Sequence, residues 1–252
     1  MINIIGTDGS VTPFLAGPGD VDEMALDSSK NLYVSDNGSN VIYKITPGGI
    51  LTTFASGFND AEGLVFDSSG NLFVANGPSE IDKITPGGTV STFVTIASGG
   101  GFQDLKIDSG GNLYLASTGD QAIYKITPGG AVSTFASGLN FPTGLVFDSS
   151  GNLYVYDSGT IDKITPGGVV TPFVSGFTVN NVYDLTIDAA GDIYAPDTGG
   201  IIWEITPGGV ATEFSDPGDI AENLIYVPEP GTLVLVPGGL GLLIFIRRRL
   251  MA

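Results

Sequence analysis

The chain contains neither cysteine nor histidine among its 252 residues. The absence of cysteine excludes disulfides and thiol chemistry. The absence of histidine removes the side chain that most often serves as a general base or as a transition-metal ligand. Charged residues make up only 14% of the chain, against about 25% in an average protein. Any catalysis would therefore depend on carboxylates, hydroxyls or a few lysines.

Positive charge is also scarce. The formal net charge is −18, and three of the nine basic residues stand together at 247–249. A surface this acidic repels phosphate backbones, so we expect no nucleic-acid partner. It suits cations, or it serves only to keep the surface solvated. We favour the second interpretation and expect a monomer.

Two phrases recur with a period of about 40 residues, which is typical of repeat architectures. The phrase ITPGG begins at Ile45, Ile84, Ile126, Ile164 and Ile205. The phrase DSSGN and its variants begin at Asp27, Asp67, Asp108, Asp148 and Asp188. The chain therefore contains five complete units between about residues 22 and 214.

Each unit divides into four short apolar runs, which in the second unit read GLVFD, NLFVAN, EIDKI and TVSTFV. Such runs between Gly, Pro, Asn and Asp predict strands, and no helical period is present. Four antiparallel strands in about 40 residues form one blade of a β-propeller. The recurring phrases are then hairpin turns. Thr-Pro-Gly-Gly predicts a type II turn, and DSSGN, with one carboxylate a copy, predicts a turn rather than a calcium loop.

The two ends of the propeller supply the parts of a further unit. IIGTDGSVTPFLAG matches the second half of a unit, and AENLIYV matches an opening strand. We therefore predict an all-β, six-bladed propeller over 1–226, with five complete four-stranded blades and one blade shared by the N- and C-terminal segments. The shared blade lacks a second strand. Either it has three strands, or the sequence begins inside a longer protein.

The connections on one face of such a propeller vary among the units, whereas the two recurring turns share the opposite face. Variable loops on a constant scaffold are where binding usually resides. We call the first the variable face and the second the turn face. Candidate binding residues on the variable face are Asp36, Asn37, Asn76, Gln103, Thr143, Asp157 and Asp197.

Acidic residues also recur where each first strand opens, at the predicted mouth of the central channel. A ring of carboxylates there would recruit a hard cation such as Ca²⁺ or Mg²⁺. The alternative is a hydrated channel without a metal. The candidate metal ligands are Asp22, Glu23, Glu62, Asp104, Asp184 and Glu222.

The unit PTGLVFDSSGNLYVYDSGTIDKITPGG resembles NHL repeats and, more closely, the repeats of streptogramin (virginiamycin B) lyases. That resemblance covers all five units and implies the propeller fold. The lyase family depends on a histidine as its acid–base residue, which this chain lacks.

The channel-mouth residues also resemble those of the gluconolactonase and senescence-marker propellers, where a Glu, an Asn and an Asp hold a divalent metal. The resemblance places the Glu at Glu62 or at Asp22. It places Thr143 where that family has its Asn, and Asp184 one residue out of register with the Asp.

The last segment, 227–252, departs from the repeat. It contains Pro228, Glu229 and Pro230, an apolar stretch predicted as a short transmembrane helix over 231–246, and a basic cluster of Arg247, Arg248 and Arg249. This order resembles the PEP-CTERM sorting signal, which implies cleavage by a membrane exosortase at the bacterial surface. The alternative is a plain C-terminal anchor.

Export requires a signal peptide, but MINIIGTDGS has neither a basic start nor an apolar centre. We therefore expect the true N-terminus to lie upstream.

Two functions follow. The first, which we favour, is a non-enzymatic binding or scaffold propeller of the bacterial envelope, exported and sorted by its tail, with a glycan or an envelope protein as its partner. The second is a divalent-metal-dependent hydrolase of the lactonase type, or a lyase-like enzyme, that uses the acidic channel mouth.

Overall fold

The computed structural model describes residues 2–5, 11–15, 21–97, 100–175, 182–215, 221–228 and 241–247. Within these ranges every regular element is a β-strand, as the short apolar runs between turn residues predict. None of the described segments forms a helix with the length and apolar character needed to cross a bilayer. The all-β prediction is therefore confirmed for this part of the chain.

Five four-stranded antiparallel sheets follow one another, one for each repeat unit, with their strands side by side in chain order. Two short strands, β1 (Ile2–Ile5) and β2 (Val11–Leu15), precede them. Blade 1 contains β3 (Val21–Leu26), β4 (Leu32–Asp36), β5 (Val41–Ile45) and β6 (Leu51–Ser56). Blade 2 contains β7 (Ala61–Phe66), β8 (Leu72–Asn76), β9 (Glu80–Ile84) and β10 (Val90–Thr95).

The later units repeat the pattern. Blade 3 contains β11 (Phe102–Ile107), β12 (Leu113–Ser117), β13 (Ala122–Ile126) and β14 (Val132–Ser137). Blade 4 contains β15 (Pro142–Phe147), β16 (Leu153–Asp157), β17 (Thr160–Ile164) and β18 (Val170–Ser175). Blade 5 contains β19 (Thr186–Ile187), β20 (Ile193–Pro196), β21 (Ile202–Ile205) and β22 (Ala211–Ser215).

The first strands of the five blades contact one another in chain order, from β3 through β7, β11 and β15 to β19. This is the arrangement of a β-propeller, in which the first strand of each blade lies nearest the central axis. The predicted β-propeller and its five complete blades are confirmed.

Aromatic side chains hold adjacent blades together. Tyr33 makes edge-to-face contacts with Phe54 of its own blade and with Phe66 of blade 2, at ring-centroid distances of 4.8 and 4.9 Å. Tyr114 repeats the arrangement with Phe135 and with Phe147 of blade 4. Such pairs contribute about 0.5–1.5 kcal/mol each beyond their buried area. Each of the five units has such a pair within its blade, and Tyr33 and Tyr114 also stabilise the junction with the next blade.

The Thr-Pro-Gly-Gly turns differ from the type II prediction. The amide of Gly49 donates to the carbonyl of Thr46 at 2.9 Å, and it is Gly49, with φ of +78°, that is left-handed, whereas Gly48 is not. A type II turn would require the positive φ at Gly48. The observed arrangement is that of a type I turn followed by a left-handed glycine in a G1 bulge, which suits the twist of a hairpin.

A further antiparallel sheet, the terminal sheet, draws strands from both ends of the chain. It contains β23 (Ala221–Pro228) and β24 (Gly241–Arg247) in the order β2-β1-β24-β23. β23 contacts β19 on one side and β3 on the other, so it stands where a first strand would stand. The terminal sheet has four strands rather than the three that the repeat alone supplies, because β24 occupies the place of the missing second strand.

The predicted helix over 231–246 is not found in the described part of the tail. Residues 231–240 lie outside that part, and Gly241–Arg247 form a strand. Leu243 pairs with Ile5 on one side and with Tyr226 on the other. Pairing on both edges satisfies the backbone groups that a helix would satisfy internally, and the residues Leu-Leu-Ile-Phe-Ile suit a strand as well as a helix.

Candidate functional site

Acids and glycines alternate at one level of the central channel. The residue that follows this level pairs with the second strand in the same way in each blade, as Met24 does with Val34 and Leu64 with Val74. The equivalent positions, which we call the acid layer, are Glu23, Gly63, Asp104, Gly144, Asp184 and Asn223. Three alternate blades therefore each place one carboxylate at the same height.

The two glycines are required because the neighbouring first strands approach them closely. A Cβ atom on Gly63 would lie 2.5 Å from the amide nitrogen of Leu105, and one on Gly144 would lie 2.6 Å from the carbonyl carbon of Asp184. Real Cβ atoms do not come this close to backbone atoms. The glycines thus allow the backbone of Asp104 and Leu105 on β11, and that of Asp184 just before β19, to pack directly against β7 and β15.

In blades 1 to 4 the acid-layer position lies within a β-bulge of the first strand. The pairing register shifts between Val21 and Met24, between Ala61 and Leu64, and between Phe102 and Leu105. A bulge re-aims side chains relative to the sheet. It separates two neighbouring acids, so that Glu23 is buried in the acid layer whereas Asp22 is only partly buried and accepts the amide of Asn37 at 3.0 Å.

The three carboxylates of the acid layer converge on a lysine. Oxygen atoms of Glu23, Asp104 and Asp184 lie within 4.8 Å of one another, and all three residues are buried. The Nζ atom of Lys106 lies 2.8 Å from Asp104 Oδ1, 3.2 Å from Asp184 Oδ1 and 3.7 Å from Glu23 Oε1. We call these four residues the channel cluster. Its ammonium group ties together strands from blades 1, 3 and 5.

Lys106 lies on β11 two residues after Asp104, and therefore one level nearer the turn face than the acid layer. Residues two apart on a strand share a face, so its side chain stands next to that of Asp104 and its ammonium turns back to the acids. The equivalent residues on the other first strands carry no charge: they are Ala25, Val65, Val146, Thr186 and Ile225. The sequence interpretation did not single out Lys106. Aligning the six opening strands position by position would have revealed a lysine in an otherwise uncharged column.

Backbone amides also donate to the oxygens of the two aspartates. Asp104 accepts the amide of Leu105 at 2.6 Å and that of Leu145 at 2.7 Å, and Asp184 accepts the amide of Leu224 at 3.0 Å. Leu145 belongs to blade 4 and Leu224 to β23. Each aspartate therefore bonds to the first strand of the next sheet as well as to Lys106, which is a structural use of a carboxylate.

Burial shifts the titration of the cluster. It raises the pKa of Glu23 well above the usual range, and the negative charge of Asp184 adds to that effect. It also raises the pKa of Asp184 to about 6, although the ammonium of Lys106 opposes the shift. Burial alone would lower the pKa of Lys106, but the three acids outweigh it and raise that pKa. Lys106 is therefore charged at neutral pH.

The channel cluster does not fit a divalent metal as it stands. Ca²⁺ binds oxygen ligands at about 2.3–2.6 Å and Mg²⁺ at about 2.0–2.1 Å. The ammonium of Lys106 already contacts all three carboxylates, and a lysine cation cannot share their centre with a metal ion. Thr143, which stands where the lactonase resemblance expects an Asn ligand, donates its hydroxyl to the carbonyl of Val182.

The other predicted ligands do not join the cluster in the described part of the chain. Glu62 lies on β7 one position before the acid layer and is only partly buried. Glu222 lies in β23, and its side chain is outside the described residues. Of the sorting-signal residues, Pro228 ends β23 and Arg247 ends β24, whereas Glu229, Pro230, Arg248 and Arg249 lie outside the described residues.

The candidate binding residues of the variable face form hydrogen bonds with residues in and beside the loops of that face. Asp157 accepts the amides of Asn140 and Phe141, and Asp197 accepts the indole N–H of Trp203 at 3.2 Å. These two aspartates are buried.

The remaining members of the set are bonded in the same local way. Asp36 accepts the backbone amide of Ser39, and the backbone amide of Asn37 donates to Asp22. Asn76 accepts the backbone amide of Asn59 and donates to Asp82. The side chain of Gln103 donates to the carbonyl of Phe102. Recognition on this face remains a prediction.

A cavity lies next to the channel cluster on the side of the turn face. Its volume is about 290 Å³, and its lining comes from the later residues of the first strands. Glu23 and Lys106 supply its charged groups, Thr186 and Tyr226 are further polar residues of the lining, and most of the others are apolar. Water or a small ligand in this cavity would therefore lie near one carboxyl and one ammonium group.

No protein-family model and no curated protein match the chain. Solved structures do. The virginiamycin B lyase from Staphylococcus aureus superposes with a TM-score of 0.69 at 16% identity, covering 89% of this chain and 78% of the lyase. A streptogramin B lyase gives 0.71 at 18% identity, covering 88% and 78%. A gluconolactonase from Xanthomonas campestris gives 0.74 at 14% identity, covering 96% and 88%. At these identities the likeness shows the β-propeller fold and no more.

Proposed function

We propose that this protein is an exported β-propeller of the bacterial envelope that binds or supports another envelope component and has no enzymatic activity of its own. In this proposal the propeller has six blades, the terminal sheet being the sixth. The partner is a glycan of the extracellular matrix or an envelope protein, held by the loops of the variable face.

One observation carries the non-enzymatic part: the buried carboxylates of the channel are used to join blades. Asp104 and Asp184 both contact Lys106, and their other bonds go to backbone amides of the adjacent sheets. A carboxylate saturated in this way is a poor general base, because a proton acceptor must reach its substrate directly or through one water. The chain also offers no histidine or cysteine to replace it.

The alternative is a divalent-metal-dependent hydrolase of the lactonase type, or a lyase-like enzyme. It is favoured by the convergence of three buried carboxylates and by the fold shared with structures whose names describe a gluconolactonase and streptogramin lyases. Fold does not determine function, however, and the lysine between the carboxylates distinguishes this channel from a free set of metal ligands.

The sorting proposal rests on the sequence of the tail. Pro228–Pro230 followed by an apolar stretch and Arg247–Arg249 resembles a PEP-CTERM signal, so we include exosortase among the partners and the bacterial surface as the destination. After processing, the propeller is either released or retained at that surface. Expression of the full gene with and without an exosortase, followed by mass measurement of the mature protein, tests this part.

The test of the non-enzymatic proposal is a hydrolysis assay on the full chain with glucono-lactone and with a streptogramin B antibiotic, each with and without added Ca²⁺ or Mg²⁺. We expect no turnover above the uncatalysed rate under any of these conditions. Metal-dependent turnover that disappears in Asp104→Asn would overturn the proposal in favour of the alternative. In parallel, a glycan array should show binding that is lost when loops of the variable face are exchanged between blades.

A further inference from the structure

The channel cluster contains its own cation. Lys106 is the one charged residue at its level of the six described first strands, and its ammonium contacts all three carboxylates of the acid layer. We propose that Lys106 takes the place of a divalent metal in this propeller, and that replacing it with a neutral side chain turns the same three carboxylates into a Ca²⁺ site. The resident lysine thus makes closure of the channel independent of metal.

The spacing of the oxygens agrees with this proposal. Two oxygens on opposite sides of a Ca²⁺ ion lie about 4.6–5.2 Å apart, twice the usual ligand distance. The carboxylate oxygens of Glu23, Asp104 and Asp184 lie within 4.8 Å of one another. An ion at their centre would lie at most about 2.8 Å from one oxygen of each residue, so small adjustments of the side chains would bring all three to the usual ligand distance.

The charge of the cluster supplies the driving force. Three buried carboxylates without a counter-cation would leave negative charge uncompensated in the interior, which is strongly unfavourable. With Lys106 removed, the cluster must either take up protons or capture a cation. Ca²⁺ binding removes this repulsion, and so the variant should be stabilised by Ca²⁺ to an extent that the natural protein is not.

Coordination by the protein would be incomplete. Ca²⁺ takes 6–8 oxygen ligands, and the cluster offers three carboxylates whose aspartates also accept backbone amides. The remaining positions would be filled by water from the cavity of about 290 Å³ beside Glu23. We therefore expect weak to moderate affinity, with a Kd between about 10⁻⁵ and 10⁻³ M, as for other incompletely coordinated sites.

The proposal applies to Lys106 and not to the other lysines of the propeller. Each of blades 1 to 4 has another lysine near the end of its third strand: Lys44, Lys83, Lys125 and Lys163. Three of these lysines pair with a turn aspartate at 3.8–3.9 Å. Those aspartates are partly exposed and stand one to a blade. Removal of such a lysine leaves a single solvated carboxylate and should create no calcium site.

The experiment is thermal unfolding of the full chain in EDTA and in millimolar CaCl₂, comparing the natural protein, Lys106→Met and the matched control Lys125→Met. We expect no dependence on Ca²⁺ in the natural protein or in the control. In Lys106→Met, Ca²⁺ at about tenfold excess over Kd should raise Tm by about 3–6 °C. The increase should disappear when Asp104→Asn is added, and isothermal titration should show one bound ion.

Either of two results would overturn the proposal. One is a saturable Ca²⁺-dependent increase in the Tm of the natural protein that Asp104→Asn abolishes, because Lys106 would then not occupy the site. The other is a folded Lys106→Met protein whose Tm does not respond to Ca²⁺. If Lys106→Met fails to fold in either condition, Lys106→Met/Glu23→Gln, with one acid fewer, undergoes the same test, and no response there also rejects the proposal.

This inference shares with the proposed function the premise that the natural channel holds no metal, but the two can fail separately. Turnover of a lactone decides the function. The Ca²⁺ dependence of Tm in the Lys106 variant decides the role of the lysine.

Discussion

The propeller uses aspartate in two regions, and the same side chain behaves in opposite ways in them. In the channel cluster, Asp184 is buried and burial raises its pKa to about 6. In the recurring turns, Asp27, Asp67, Asp108 and Asp148 have a lowered pKa. Both sets accept backbone amides. The difference follows from the balance of two effects: burial outweighs the hydrogen bonds of Asp184, whereas in the turns the hydrogen bonds outweigh partial burial.

The turn aspartates are stabilised as anions by the loop that they organise. Burial opposes the charge of Asp27, but the side-chain amide of Asn31 and the backbone amides of Asn31 and Ser29 outweigh it and lower its pKa. Asp27 Oδ1 accepts both backbone amides at 2.9 Å, and Oδ2 accepts the Asn31 side chain at 2.7 Å. These donors lie within four residues of the acid, and the hydroxyl of Tyr33, six residues away, donates to Oδ2 at 3.4 Å, so the turn is built locally.

Blade 5 is the exception among the turns. Asp192 replaces the asparagine, and Glu204 replaces the lysine of the third strand. Tyr194 then donates its hydroxyl to Glu204 at 2.9 Å. The pKa of Asp192 is raised by burial and by the charges of Asp188 and Glu204. This turn lacks the asparagine and the lysine of the other units, and the pKa of its Asp192 is raised, as is that of Asp184 in the channel.

The largest expected difference between the two regions is in free energy of unfolding. Asp104→Asn and Asp108→Asn make the same change in the same blade. The first leaves Lys106 beside two acids and disrupts bonds to Leu105 and Leu145, and breaking a buried pair costs about 3–5 kcal/mol. The second weakens a partly exposed turn by about 0.5–1.5 kcal/mol. Urea denaturation measures both values; equal losses would remove the distinction between the regions.

The acid layer should also be less tolerant of added volume than the turns. Gly63→Ala places a Cβ atom 2.5 Å from the backbone nitrogen of Leu105, so we expect a loss of about 1–3 kcal/mol. Gly87→Ala in the turn of the same blade meets nothing nearer than 3.9 Å, and its effect should be within about 0.5 kcal/mol. Denaturation curves test the pair. A neutral Gly63→Ala would mean that β7 and β11 can separate.

The two regions should respond oppositely to pH. The folded protein holds the proton of Asp184 up to about pH 6, whereas the unfolded chain loses it near 3.8. Stability from this group is therefore complete below pH 3.8 and is lost as the pH rises through 6, with a slope of at most about 1.4 kcal/mol per pH unit. For Asp148, whose pKa is lowered, stability is present above 3.8 and is lost on further acidification.

Stability measured against pH in Asp184→Asn and Asp148→Asn separates these contributions. Asp184→Asn should flatten the decline of stability between about pH 4 and 6. Asp148→Asn should flatten the loss of stability on acidification below that range. If both variants changed the same limb, the assignment of opposite shifts would be wrong.

The smallest effect concerns the backbone of the first turn. Lys30 occupies the left-handed position, with φ of +64°, that glycine occupies in the other units. Lys30→Gly should stabilise the protein by about 0.5–1 kcal/mol because it removes this strain. Gly151→Ala, at the same position of blade 4 and with its nearest neighbour at 3.8 Å, should cost a similar amount. Melting temperatures that do not move in opposite directions would contradict this.

The blades were predictable because their information is local and repeated. Each turn is specified by Asp, Gly and Pro within about five residues, and each strand by an apolar run between two turns. One repeat of the sequence therefore describes one blade. The detail of the Thr-Pro-Gly-Gly turn was not predictable in the same way. Glycine at both third and fourth positions permits a positive φ at either, and the twist of the hairpin selects Gly49 over Gly48.

The candidate site was only partly predictable. Acids at the opening of the first strands were visible, but a bulge in the first strands of blades 1 to 4 decides which of two neighbouring residues lies in the acid layer, and it separates Asp22 and Glu62 from the level of Glu23 and Asp104. Register near a bulge depends on the partner strand and not on the strand alone. The apolar tail was equally ambiguous, since Gly241–Arg247 could form a helix or, given two unpaired neighbours, a strand.

The sequence by itself determined that this protein is a ring of similar β-sheet units with an acidic, histidine-free surface, because periodicity and composition need no knowledge of distant contacts. Only the tertiary structure decided that a lysine of blade 3 stands among carboxylates of blades 1, 3 and 5. From one contributing blade to the next, those residues lie about 80 positions apart along the chain, and only closure of the ring brings their side chains to one point.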